Sequence, residues 1–227
     1  MTSPSDGAPP ASSASSVSSA HIAQTASRTS SGFAWAVATC AKTGQIACGD
    51  AYRVRELPAL AAGGAPVANE QGVALVVVVD GIGHGPDARA AADCALDAFV
   101  DDAGVDEALR GTGFALARRL ERAHHAARRT RGCGLSAALV AGDTLAWLGV
   151  GNVEGVVRKA GARERLLTIG GIVGERLPNV IVRDVPFLPG DAVIFATDGA
   201  PGAVLDETVR FDDVAGAAHA LLARHAT

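Results

Sequence analysis

Two apolar stretches of this sequence end on the same pair of residues, an aspartate followed by glycine. The first, VVVVDGIGHGPDARAA at residues 76–91, runs through Asp80-Gly81 and a glycine-rich loop into Pro86. The second, VIFATDG at 193–199, closes on Asp198-Gly199. A third acid, Asp50 in ACGD, also falls where a strand is expected to end. One chemistry for the first segment is dinucleotide binding, which needs G-x-G-x-x-G between strand and helix. Here the glycines stand at 81, 83 and 85 and position 86 is proline, so the third glycine is missing. Asp80 would also point a carboxylate straight at a pyrophosphate. The other chemistry places a divalent cation between carboxylate and phosphate. Mg²⁺ and Mn²⁺ take carboxylate, carbonyl and water oxygens, and a glycine lets its backbone carbonyl come close. Three carboxylates from separate strands would suit a two-metal site that activates water and clamps a phosphoryl group.

Those acids need strands and helices to hold them. Val73–Val79 is a seven-residue apolar run and reads as a strand buried on both faces. Pro86 suits the first position of a helix, where its missing N–H is no loss. Ala88, Ala91, Ala92, Ala95, Leu96, Phe99 and Val100 then follow at helical spacing and mark one apolar face. A second helix is expected from Asp106 to about Arg129, with Leu109, Gly113, Leu116, Leu120, Ala123 and Ala127 on its buried stripe. Beyond Gly132 the pattern turns to β. Gly134–Val140 and Thr144–Val150 are joined by a turn so short that they must pair antiparallel. Phe33–Thr39, Gln45–Cys48, Ala51–Leu57, Glu154–Arg158, Ile181–Phe187 and Ala192–Ala196 are further extended segments, Pro58–Gln71 a loop, and Val214–Arg224 a last helix. Many antiparallel strands with few helices predict an α+β sandwich.

Composition narrows the class. The 227 residues suit one domain, and 48% hydrophobic against 19% charged is a globular balance. A formal charge of −4 argues against broad binding to nucleic acid or anionic membrane. No apolar run approaches the roughly 20 residues of a membrane span. Residues 1–32 hold eleven Ser, six Ala and three Pro, so they are expected to form a disordered tail, with folding from about Phe33. Cys40, Cys48, Cys94 and Cys133 lack C-x-x-C spacing and read as buried, reduced thiols of a cytoplasmic protein.

The order of the motifs resembles the PPM-type metal-dependent protein serine/threonine phosphatases in their SpoIIE-like branch, and within it the stressosome phosphatases. The resemblance is carried by ACGD (47–50), VVDGIGHGPDA (78–88), RGCGLSAALV (131–140), LGVGNVEG (148–155), GIVGERLP (171–178) and LPGDAVIFATDG (188–199). It implies an α-β-β-α sandwich of two mainly antiparallel sheets over residues 33–227. It implies Asp80 as a bridging metal ligand, the Gly81 carbonyl as another, Asp198 on a second Mn²⁺ or Mg²⁺, and Asp50 at the same centre, directly or through water. Water activated there would attack phosphoserine or phosphothreonine without a phosphoenzyme. The implied substrates are phosphorylated STAS-domain proteins of a partner-switching stress pathway.

One element departs from the family. An Asp-Asp-x-Thr stretch on a last strand would supply another carboxylate, but Asp212-Asp213 precedes the final helix and is followed by Val-Ala. The rival reading is therefore a phosphatase-like module that recognises a phospho-regulator and hydrolyses it poorly. Smaller signals have two readings each. His84 is either a proton donor to the leaving serine oxygen or a solvent-facing loop residue. Asn152 lines the pocket or takes a left-handed turn, the turn being favoured. Arg131 contacts phosphate or simply opens a strand. Arg118, Arg122, His125 and Arg129 share a helical face that either docks an acidic phosphoprotein or is merely solvated. Asp87 complements a helix dipole, and Trp35 and Trp147 are expected in the core.

Overall fold

The computed structural model describes residues 23–29, 32–42, 44–57, 72–101, 114–200, 202–206 and 213–225. In chain order these form β1 (Ala23–Thr29), β2 (Ala34–Cys40), β3 (Asp50–Leu57), β4 (Val73–Gly81), α1 (Pro86–Val100), α2 (Phe114–Ala127), β5 (Cys133–Ala141), β6 (Thr144–Val150), β7 (Glu154–Lys159), β8 (Ala162–Leu166), β9 (Arg183–Pro186), β10 (Ala192–Ala196), a 3₁₀ turn (Gly202–Leu205) and α3 (Val214–His225).

Five strands pair antiparallel in the order β3-β4-β5-β6-β9, and three in the order β10-β7-β8. Alternation along β4 and β5 divides the side chains of the larger sheet. Leu75, Val77, Val79, Leu135, Ala137 and Leu139 face α1 and α2, where Phe99, Leu116 and Leu120 complete one core. Ala74, Ala138, Val140 and Trp147 face the smaller sheet and meet Val157, Leu166, Val193 and Phe195. The outer face of the smaller sheet is covered by Leu205 of the 3₁₀ turn, against Val156 and Ala196. α3 lies on the hairpin β1-β2. The architecture is the expected α+β sandwich of antiparallel sheets with helices outside.

The helix face predicted from spacing is the one α1 buries: Ala88, Ala91, Ala92, Ala95, Leu96, Phe99 and Val100. Its last turn has no basic residue of its own. Its open carbonyls find donors elsewhere: Arg119 Nη1 donates to Phe99 O at 2.8 Å and Arg55 Nη1 to Val100 O at 3.4 Å. Arg119 is thus buried, unlike Arg118 and Arg122 on the same helix.

Several expectations are corrected. A strand, β1, stands inside the segment expected to be tail, paired with β2 from Ala23↔Cys40 to Thr29↔Ala34. Its Ala, Gln, Thr and Ser residues carry no apolar pattern; pairing uses the backbone, which composition does not report. Gln45–Cys48 is not a strand, and Ile46 there is 82% exposed. β8 was not foreseen: its sequence ARERL buries only Leu166. Ile181–Phe187 shortens to β9. Trp147 is core, but Trp35 is half-buried and donates Nε1–H to Glu56 Oε1 at 3.0 Å. Cys133 is buried, whereas Cys40, Cys48 and Cys94 are half-buried, and all four are free. The Pro58–Gln71 loop and the first part of the second helix, 106–113, lie outside the described residues. No helix among those described is long and apolar enough to cross a membrane.

Candidate active site

β3 and β5 begin, and β4, β6 and β10 end, at one pole of the sandwich. Register then decides which side chains meet there. Asp50, Asp80 and Gly134 lie directly opposite one another across β3, β4 and β5. Val79 faces the helices, so the next residue, Asp80, turns to the space between the sheets. Asp198 reaches the same pole from just beyond β10, on the other sheet.

The bridge between the sheets is Asn152, one residue beyond the turn that ends β6. Its Nδ2 donates to Asp80 Oδ2 at 2.7 Å and to Asp198 Oδ2 at 2.9 Å. Gly134 makes room for it, since a Cβ there would collide with Asn152 Oδ1. Thr197 Oγ1 donates to Asp50 Oδ2 at 2.8 Å, a second link from the smaller sheet to the larger. The turn favoured for Asn152 from the sequence therefore misses its main contact, and Thr197 was not singled out at all. Its signal was its place: the residue before Asp198 in ATDG.

Two glycines shape the loop after Asp80. Gly81 is packed against the first turn of α1, and a Cβ on it would run into the Ala88 carbonyl. Its N–H is bonded to Gly49 O at 3.2 Å, which ties the loop to the start of β3. Gly85 caps α1 with φ 75°, a left-handed value that side chains resist. Between them, His84 is exposed. Arg131 lies over Gly83, where a Cβ would come within 3.1 Å of Nη1. Its Nη2 is paired with Asp87 Oδ2 at 2.7 Å, so Asp87 holds an arginine as well as sitting in the first turn of a helix. Asp213 accepts from Gly216 N at 2.9 Å and caps α3, while Asp212 lies outside the described residues.

The electrostatics follow from crowding acids in a buried place. Asp80 is 8% exposed. Its carboxyl is pushed up to about 7, by burial first and then by Asp50 and Asp198, against the pull of the Asn152 amide. Asp50 is also raised by burial, partly offset by hydrogen bonds from Thr197, Asp80 and Cys48. Burial and Asp50 push the Cys48 thiol to about 11, and burial and Asp80 push Cys133 to about 12, so both stay protonated. Directly opposed like charges are destabilising, and buried charge is tolerated where it is paired or holds a metal. Among the described residues, no group of three or more His, Cys, Asp or Glu side chains stands close enough to hold a metal ion as it is placed. The donor chemistry fits a hard divalent cation nonetheless: carboxylate oxygens, with the Gly81 carbonyl next in the chain to Asp80 and no soft ligand required.

No protein-family model and no curated protein matches the sequence. Solved structures do match the fold. One comes from the bacterial stressosome, a modular system adapted to control secondary messenger signaling: 23% identity, 90% of this chain and 92% of that one, TM-score 0.65. RsbX in complex with magnesium matches at 16% identity over 89% of this chain and 88% of its own, TM-score 0.60. The catalytic domain of the serine/threonine protein phosphatase PstP, in complex with two manganese ions, matches at 18% identity over 77% and 90%, TM-score 0.50. The fold of this chain is that of the PP2C/PPM-type phosphatases.

Proposed function

We propose that this chain is a metal-dependent phosphoserine/phosphothreonine protein phosphatase that acts on STAS-domain regulators in a cytoplasmic bacterial stress-signalling pathway. The observation that carries the reading is Asp80: a buried acid at the end of a central strand, opposite Asp50 and joined to Asp198 through Asn152. The stressosome, RsbX and PstP neighbours support the reaction class, the pathway and the metals.

Asp80, the Gly81 carbonyl, Asp198 and Asp50 are the residues that would hold Mn²⁺ or Mg²⁺. Two such ions, when bound, would supply charge for the phosphoryl oxygens and a water acidic enough to act near neutral pH. The protein's own part is orientation. Asn152 fixes one oxygen of Asp80 and one of Asp198, and Thr197 fixes one of Asp50. Arg131, poised over the glycine loop, offers planar donors to phosphate oxygens. His84, on the exposed side of that loop, would pass a proton to the leaving serine or threonine oxygen.

Release of phosphate from an aryl phosphate, with Mn²⁺, with chelator and with Asp80→Asn, tests this. Turnover is expected only with metal and should fall by at least about 10²-fold in the variant. No turnover, even on a phosphorylated STAS-domain protein at millimolar Mn²⁺, would overturn the enzyme reading and leave a phospho-recognition module.

A further inference from the structure

The basic segment beside the site is not absorbed by the chemistry above. Six of the chain's 20 Lys and Arg, but only one of its 24 acids, lie in residues 118–131, so the rest of the molecule is markedly acidic. α2 turns Leu116, Leu120, Ala123 and Ala127 into the core. That puts Arg118, Arg122 and His125, at i, i+4 and i+7, on the outer side, with Arg129 following in the turn after α2, and all four are exposed. The stripe ends two residues before Arg131, whose guanidinium lies over Gly83 of the glycine loop. Positive charge therefore runs along α2 and finishes at the rim of the site.

We propose that this stripe is the docking surface for an acidic polypeptide segment of the phosphoprotein substrate, an inference that rests on the phosphatase reading. Charge argues for the partner. On a chain of net −4, this run holds the densest positive charge in the sequence, which would steer an acidic segment toward the pole that carries Asp80. The side chains argue against a bilayer. The large exposed apolar residues among those described are Ile46, Ile82, Leu167, Ile181 and Leu188, none of them on α2, so the stripe offers lipid no apolar anchor. α2 is 14 residues long, about 21 Å; an extended tail of about ten residues, roughly 33 Å, spans it.

The test compares phosphothreonine peptides of one core sequence carrying a ten-residue Glu tail or a Gln tail, on either side of the phosphothreonine. Wild type should turn over one Glu-tailed peptide with kcat/KM about tenfold above its Gln-tailed counterpart at low salt. The advantage should disappear at high salt. In Arg122→Glu/Arg129→Glu, and in the milder Arg122→Gln/Arg129→Gln, the advantage should collapse while aryl phosphate turnover stays unchanged. Equal kcat/KM for the two tails, or an advantage that survives both variants, overturns the docking surface. Fluorescence anisotropy of the labelled Glu-tailed peptide reads the same preference without turnover, so absence of turnover on aryl phosphate, peptides and phosphorylated STAS-domain protein alike would sink the enzyme reading and leave the docking measured. Binding to phosphatidylserine vesicles without preference for the Glu tail would assign the stripe to lipid and overturn the proposal.

Discussion

The two arms of the candidate site are built differently. Asp50 and Asp80 stand in a ladder of five strands, in fixed register, with helices behind them and Asp80 buried. Asp198 stands in an exposed turn after β10, a strand of the smaller sheet whose residues are mostly half-buried. What joins the arms is side-chain hydrogen bonding from Asn152 and Thr197 rather than backbone pairing. One arm is held by packing that resists displacement. The other is tied through side chains, which can shift without breaking a ladder.

The sharpest way to break the rigid arm is Gly81→Ala. The new methyl meets the backbone of Ala88, which no rotamer change relieves. A loss of about 3 kcal/mol in urea unfolding is expected; an unchanged midpoint would show that the loop yields easily and is not the fixed half of the site.

Asn152→Ala cuts the direct bridge from Asp80 to Asp198 and leaves the Thr197–Asp50 link in place. Mn²⁺ affinity by titration calorimetry should fall about 10- to 100-fold, the usual cost of removing a group that orients ligands, with little change in melting temperature. Equal affinity would mean that Asp198 is positioned without help from Asn152.

The smallest effect concerns the buttress of the rigid arm. His124 is buried, and its Nδ1 accepts from Gly174 N at 2.9 Å, in the loop whose Val173 pairs with Cys133 at the start of β5. Burial first, then Arg128 and His125, hold this imidazole below its ordinary value. The unfolded chain therefore takes up the proton more readily once the pH drops below about 6.5. Stability from His124 is present in full above that pH and is lost as the pH falls through the folded value. Asp80 and Asp50, raised in the fold, push the other way over the same range, so the reading is a difference: the stability of wild type relative to His124→Gln, by urea unfolding, should fall from pH 7.5 to 5.5, and parallel slopes would remove His124 from the account.

Much of the larger sheet was legible because burial on both faces writes itself into composition. Val73–Val79 could hardly be anything but a strand, and α1 showed its face residue by residue. β8 was not legible, since a strand with four exposed positions is held by its neighbour's backbone and looks polar. The same holds for β1, whose ladder with β2 leaves no apolar trace, and the strand expected at Gln45–Cys48 is the converse case, a short apolar run without a partner.

The sequence by itself determined the acids and the elements that end on them: Asp-Gly after apolar strands, glycines where a loop must hug a helix, proline to start α1. Those features depend on neighbours in the chain. Only the tertiary structure decided that Asp50 faces Asp80 in register, that Asn152 spans from Asp80 to Asp198, and that Arg131 bends over Gly83 to reach Asp87. Each joins residues 30 or more apart in sequence, and such pairs follow from sheet register and the stacking of two sheets, which local propensity does not encode.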